Sequence, residues 1–455
     1  MASDLSKVDP NWAWELYQPD EGRPWNRRQA AHLYRRAGFA ATSRQLDEAV
    51  KKSPAETVQQ LLTPEDTNDF DSEMDDFGET IRANRDPSRL SAWWLYRMLH
   101  TPDQLLEKTT LFWHGHFATS AAKVTSARLM LDQNKLLRRF AHGKFEEMVQ
   151  HISRDPAMLI YLDSTTNRKT RPNENYAREV LELFCLGLDQ YTEKDIQELA
   201  RCFTGYEVRK DKFGFNKYQH DRGVKSVFGQ SGNFKGDDAV RVVVSQQAAP
   251  RFIVRKLMRY FMFDEPQPPS SLVDPLADEL REHDFDIGFV VGRILASNLF
   301  FSPHSMGRKV RSPVEMGIGL LRALEGRTNI FRLAESVAEL GQSPFFPPNV
   351  KGWDGGRTWI NSSTLLGRAN MVRQILLADE TKFGDGNLES LVARHGKLST
   401  NAAVDWLLDL LVAVPVPPEV REMLVGVGNT SQGNKHRRLA NVVHTISTLP
   451  EFQLG

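Results

Sequence analysis

Ser53-Pro54-Ala55-Glu56 is the signature of a helix N-terminus. The serine hydroxyl can accept from free first-turn N–H groups, proline has the φ of a first helical residue, and glutamate can reach back to the cap. The device recurs at Thr101-Pro102-Asp103-Gln104 and, without the proline, at Thr192-Glu193-Lys194-Asp195. Stretches 29–36, 90–99, 127–140 and 249–263 also read as helices. This spacing predicts a mainly α, multi-helical globular protein. Residues 205–236 differ, because Gly205, Gly214, Gly223, Gly229, Gly232 and Gly236 punctuate short aromatic or β-branched pieces. That pattern predicts a small β-hairpin or loop excursion. Val240, Val242, Val243 and Val244 favour a strand by propensity, but Asp237-Asp238 supplies a helix start, and 239–245 is read as helix.

A chain of 455 residues exceeds one ordinary domain. The expected organisation is an N-terminal extension (1–29), a main helical domain (30–378) and a C-terminal helical subdomain (379–455) packed on it. Proline clusters at 264–269 and 343–348 mark joints. Lys plus Arg and Asp plus Glu both number 58, a balance that argues against a dedicated nucleic-acid binder. No apolar run approaches the roughly 20 residues a bilayer requires. Cys185 and Cys202 are too few for a disulfide scaffold and read as small buried residues. The opening residues are polar and acidic, with no basic stretch leading into an apolar one, so the expected location is the cytoplasm. Phosphate-loop, dinucleotide-binding, His-Glu-x-x-His and Gly-x-Ser-x-Gly motifs are absent.

Four clusters carry candidate chemistry. In Phe112-Trp113-His114-Gly115-His116-Phe117, the imidazoles lie two residues apart. An unbroken helix sends them about 200° apart. They serve one site only if Gly115 ends or kinks the helix, and that is the expectation; the competing reading is that one histidine caps the helix end while the other is a core residue held by a hydrogen bond. His114 and His116 are then the metal ligands, a divalent metal being the cofactor such a pair would take, with Trp113 as a wall. The second cluster is Arg171-Pro172-Asn173-Glu174-Asn175-Tyr176-Ala177-Arg178-Glu179-Val180-Leu181-Glu182-Leu183-Phe184. At about 100° per residue, Asn175, Arg178, Glu179 and Glu182 form a narrow polar stripe on a mostly apolar helix. Glu179 and Glu182 are acid–base candidates, and Asn175 and Arg178 are substrate contacts. The competing reading is an internal Arg178–Glu182 ion pair. In the third cluster, His220-Asp221 sets an imidazole and a carboxylate on the glycine-rich excursion, where Asp-x-Gly is also good turn chemistry. In the fourth, Lys351-Gly352-Trp353-Asp354-Gly355-Gly356 offers Trp353 and Asp354 to a sugar ring, or simply packs a loop by its tryptophans.

These clusters, together with His32-Leu33-Tyr34-Arg35-Arg36-Ala37-Gly38-Phe39, Ser153-Arg154-Asp155-Pro156-Ala157-Met158 and Ser312-Pro313-Val314-Glu315, resemble the family catalogued as domain of unknown function 1800. The resemblance runs from about residue 30 to Phe452. It implies a bacterial protein, often encoded beside a sulfatase-like partner family and often exported, and it transfers no catalytic residues. Two expectations follow. One is a hydrolase or metal-dependent enzyme acting on a polar polymer such as a glycan, with Glu179, Glu182, His220 and Asp221 catalytic. The other is a non-catalytic binding or assembly partner of a sulfatase-like enzyme.

Overall fold

A computed structural model describes residues 4–63, 67–84 and 86–455, so residues 1–3 of the N-terminal extension lie outside it. Helices dominate, with 25 α-helices among the described residues. Those that position the site are α1 (Leu90–His100), α2 (Gln104–His116), α3 (Ala127–Phe140), α4 (Asn175–Glu179), α5 (Ala248–Phe261) and α6 (Pro313–Ala323). The capping boxes at Ser53 and Thr192 form as the sequence indicates. At Thr101 the start is displaced. Asp103 caps α2 by accepting from the Leu106 N–H at 3.0 Å. The Thr101 hydroxyl instead accepts from the Asp103 N–H.

Four of the six strands lie in the glycine-rich excursion. β1 (Tyr206–Arg209) pairs antiparallel with β2 (Lys212–Phe215), Tyr206 opposite Phe215. The Lys210-Asp211 turn between them has φ of 50° and 60°, the left-handed turn whose twist suits a hairpin. β3 (Lys225–Val227) pairs with β4 (Gln230–Gly232). β5 (Gly326–Arg327) and β6 (Lys382–Phe383) form a third short pair elsewhere. The valine-rich stretch is helical, Gly236–Val244, with the Asp238 carboxylate accepting from the Lys235 N–H.

Two hydrophobic cores form. One collects Trp113, Phe117, Phe145, Phe184, Phe261 and Leu299. The other joins Tyr34, Trp93 and Trp94 to Ile318, Leu376, Trp406 and Val443, so the last part of the chain shares a core with the first. Helix α2 lies between them, because Leu111 belongs to the second core and Phe112 and Trp113 to the first. Both cysteines are buried and free. Among the described residues no helix is long and apolar enough to cross a membrane.

Candidate functional site

The expectation that Gly115 breaks α2 fails. The helix runs to His116, and the Phe117 N–H closes its last turn on the Trp113 carbonyl at 2.8 Å. The imidazoles therefore diverge. His114 Nε2 accepts from the Phe345 N–H at 3.0 Å, with its ring against Trp94. Burial pushes its pKa down to about 3. His116 turns toward α5, its Nε2 2.9 Å from the Phe184 carbonyl oxygen. A carbonyl only accepts, so Nε2 carries the proton and Nδ1 presents a lone pair, 3.0 Å from Lys256 Nζ. The two rings do not share a ligand site. Among the described residues no group of three or more His, Cys, Asp or Glu side chains is gathered as a metal would require. Trp113 is wholly buried and donates to the Ala141 carbonyl, so it supports the helix from behind and walls nothing.

Gly115 has a different use. The loop carrying Gly352 and Trp353 lies directly on it. Gly352 has φ +78°, and a Cβ there would collide with the Gly115 carbonyl oxygen. Two glycines in backbone contact thus dock the tryptophan loop onto the end of α2.

The second cluster is not a continuous α-helix. After α4 the backbone widens into a π-helix over Val180–Cys185, with the Leu186 N–H bonded to the Leu181 carbonyl. At its end, two carbonyl groups meet side chains. Phe184 accepts from His116 Nε2, and Leu183 accepts from Lys256 Nζ at 3.1 Å. Local π-geometry of this kind concentrates at functional sites. The expected polar stripe does not enter the cleft described below. Arg178 pairs with Glu193 and Glu174 and not with Glu182, while Glu182 accepts from the Tyr191 hydroxyl at 2.9 Å. Asn175 is exposed at the start of α4. Burial and the nearby Glu182 push the Glu179 carboxyl up, against the pull of Arg178 and Lys351.

His220 and Asp221 also lie outside the cleft. The Asp221 carboxylate accepts from Arg201 Nε and the Gly223 N–H, both at 2.7 Å, which is the turn chemistry of the competing reading. His220 Nδ1 bonds to the Thr204 carbonyl, and its ring meets Phe215. Together they fasten the excursion to the helix Glu193–Cys202.

The cleft itself opens between the last turn of α2, helix α5, the segment 309–315 and the tryptophan loop, with a volume of about 280 Å3. Phe112, Tyr260, Trp353 and Trp359 supply its aromatic walls, and Trp353 and Asp354 are the sequence candidates it retains with His116. Its buried carboxylates are engaged. Asp264 holds Lys309 at 3.2 Å and the Val310 N–H at 2.7 Å; Glu315 holds Lys108 and the Ser312 N–H. The donors are not. Lys256 contacts His116 Nδ1 and the Leu183 carbonyl but, among the described residues, no carboxylate. Arg259 Nε and Trp353 Nε1 are buried with no acceptor among the described residues. Burial, then repulsion from Arg259, pushes the Lys256 amine down to about 7.

Lys256 and Arg259 were not legible as candidates. Arg251, Arg255, Lys256 and Arg259 lie together on α5 and read as one solvated basic face. The available signal was the i, i+3 pair Lys256 and Arg259 beside Tyr260. An amine-selective reagent is expected to label Lys256 with a midpoint near pH 7, the neutral amine prevailing above it. Arg259→Leu should raise that midpoint, because it removes the repulsion that disfavours the ammonium. A midpoint near that of an ordinary lysine in the parent protein would show that the cleft does not perturb this amine.

The family model described as "Protein of unknown function (DUF1800)" matches residues 32–454. The chain belongs to this DUF1800 family. No curated protein and no solved structure matches it. In this DUF1800 protein the remaining motifs are structural joints. His32 Nε2 bonds to the Phe300 carbonyl, Arg35 to that of Leu410 and Arg36 to that of Ser305, tying distant segments together. Ser312-Pro313-Val314-Glu315 is the capping box of α6, and Glu315 lines the cleft. Asp155 caps the helix Pro156–Tyr161.

Proposed function

We propose that the cleft is an active site for an anionic, oxygen-rich substrate, with a charged glycan as the class that suits it, and that Lys256 moves the proton in a hydrolytic reaction. The observation that carries this reading is the surplus of donors. Lys256, Arg259 and Trp353 line the cleft; among the described residues Arg259 Nε and Trp353 Nε1 are buried without an acceptor, and Lys256 is held only by His116 Nδ1 and the Leu183 carbonyl. Buried donors left unmet cost about 1–3 kcal/mol each. A sulfate or carboxylate group would satisfy them, and the faces of Trp353 and Tyr260 suit the apolar side of a sugar ring. As a neutral amine, Lys256 keeps two N–H bonds, to His116 and Leu183, and turns its lone pair to the cleft. There it can take a proton from water or a hydroxyl.

The test is calorimetric titration with sulfated and carboxylated oligosaccharides beside their neutral counterparts, followed by a cleavage assay. Charged sugars are expected to bind and neutral ones not. Lys256→Met should lower cleavage by on the order of 100-fold or more. Equal affinity for neutral and charged sugars would sink the substrate class, and unchanged cleavage in the variant would sink the role of Lys256. Binding without cleavage would support the alternative of a non-catalytic partner protein.

A further inference from the structure

The β1–β2 hairpin carries more positive charge than its own structure uses. In its register Arg209 stands opposite Lys212 and Glu207 opposite Gly214 on one face, while Tyr206, Val208, Phe213 and Phe215 share the other. Val208 and Phe213 pack on the first core, and Arg209 and Lys212 are exposed on the side away from it. Glu207 is the carboxylate of that face, and Arg209 and Arg168 already share it. Like charges directly opposite weaken a strand pair, and Lys212 has no carboxylate of its own among the described residues. The surplus continues beside the hairpin. Loop 167–171 is laced to its base, because the Lys169 N–H donates to the Gln219 carbonyl at 2.9 Å and the Gly205 N–H to that of Asn167 at 3.0 Å. Lys169, Arg171, Lys210, Lys212, Lys217 and Arg222 are all exposed, and none forms an ion pair among the described residues. Segments 167–171 and 205–236 hold ten Lys and Arg against three Asp and Glu in a chain whose charges balance, so the rest of the chain is net acidic.

We propose that this basic face is a docking surface, outside the cleft, for an anionic polysaccharide chain. An exposed ion pair is screened by salt and contributes little alone, so a single small anion would not be held. A polymer that meets several of these cations at once binds through their sum. The four residues of β2 span about 13 Å, further than one sulfate or carboxylate group reaches, so the spacing also calls for a repeating anion. Single-stranded nucleic acid depends on open rings for stacking, and the face lacks them. Tyr218 is exposed, but Lys217 Nζ lies 5.2 Å from its ring centroid, and Phe215 leans on the rings of Tyr206 and His220. A stiff duplex reaching past the hairpin would run on to net acidic surface. The cleft supplies the reason for a second contact. At about 280 Å3 it lies at the small end of ligand pockets, so a polymer acted on there continues over the surface. The kind of polymer rests on the reading of the cleft as a charged-glycan site; the surplus of exposed cations does not.

The experiment measures binding of the full chain to size-fractionated heparin, polygalacturonate, dextran and a DNA duplex, in the parent protein and in a variant combining Lys210→Ser, Lys212→Ser and Lys217→Ser. Heparin and polygalacturonate are expected to bind and neutral dextran not. The triple variant should lose about tenfold or more in affinity for both, with its melting midpoint unchanged, because these side chains hold no other element. If it does not fold, Lys169→Ser with Arg171→Ser on the neighbouring loop takes its place, and the same loss is expected. Undiminished heparin affinity in the folded variant overturns the proposal. So does a DNA duplex that binds as tightly as heparin of equal charge, or dextran that binds as tightly as either polyanion. Charged disaccharides, too short to leave the cleft, separate this proposal from the reading on which it rests. Their binding should be the same in the triple variant and the parent. If they do not bind at all while heparin binds and the triple variant loses it, the cleft reading falls and the docking surface stands.

Discussion

Glu107→Gln is expected to destabilise the protein by about 3–5 kcal/mol, the usual cost of removing one partner from a buried ion group. Glu107 is wholly buried in the first turn of α2. Its Oε1 accepts from Arg97 Nε and Arg138 Nε, both at 2.5 Å. Its Oε2 accepts from Trp94 Nε1 at 2.8 Å and Arg138 Nη2 at 3.0 Å. One carboxylate thus clamps α1, α2 and α3. Burial works against its charge, but Arg138 and Arg97 outweigh that and hold the carboxyl down at about 2. A carboxyl whose pKa is lowered by folding contributes stability above its unfolded value, about 4.3, and loses it as pH falls toward the folded one. Urea melts of the parent protein should therefore weaken between about pH 4 and pH 2, and the variant should lack this component. Replacing Glu107, Arg97 and Arg138 together by apolar residues should cost much less than Glu107→Gln, because no buried charge is left uncompensated; Asp71, which loses Arg97, is half exposed. An equal or larger loss in the triple variant would mean that the ion group itself, and not the stranded guanidiniums, carries the stability.

Glu107 was invisible in the sequence for the same reason as Lys256. A charged residue on a helix reads as solvated until its neighbours are known, and those neighbours come from other helices. What could be read were local features with local causes. The capping boxes at Ser53 and Thr192 need only four residues, and they form. Thr101 failed because Asp103 is an equally good cap two residues on, and the competition is settled by where the chain enters the helix. The tryptophan loop was legible because glycines and tryptophans crowd together in it. The carboxylate stripe was not, because the 100° rule assumes an α-helix, and the chain leaves that geometry at Val180. Nothing in Val180-Leu181-Glu182-Leu183-Phe184-Cys185 marks a π-turn. Its carbonyl groups are claimed by His116 and Lys256, which lie far from it in sequence. His114 and His116 were identified as unusual, yet their shared site rested on one assumption about Gly115 that the docked loop replaces.

That replacement yields the sharpest expectation for the cleft. Gly352→Ala should displace the tryptophan loop and abolish ligand binding there, while Gly115→Ala should not. At Gly352 the backbone has φ +78°, a conformation that costs an L side chain about 1–2 kcal/mol. The new methyl would also meet the Gly115 carbonyl, which is fixed within α2. A helix backbone does not yield as a side chain does, so the loop must lift, taking Trp353 off the wall and exposing it. At Gly115 the added methyl would lie 3.9 Å from Trp353 Cε3, an ordinary contact. The helix would gain about 1 kcal/mol of propensity. Trp353 emission, read as the difference from a Trp353→Phe background, should shift to the red in Gly352→Ala and stay in place in Gly115→Ala. The melting midpoint should fall in the first and hold or rise in the second. If Gly115→Ala were as damaging as Gly352→Ala, the helix would need its glycine for flexibility after all, and the two imidazoles would have to be reconsidered as a pair.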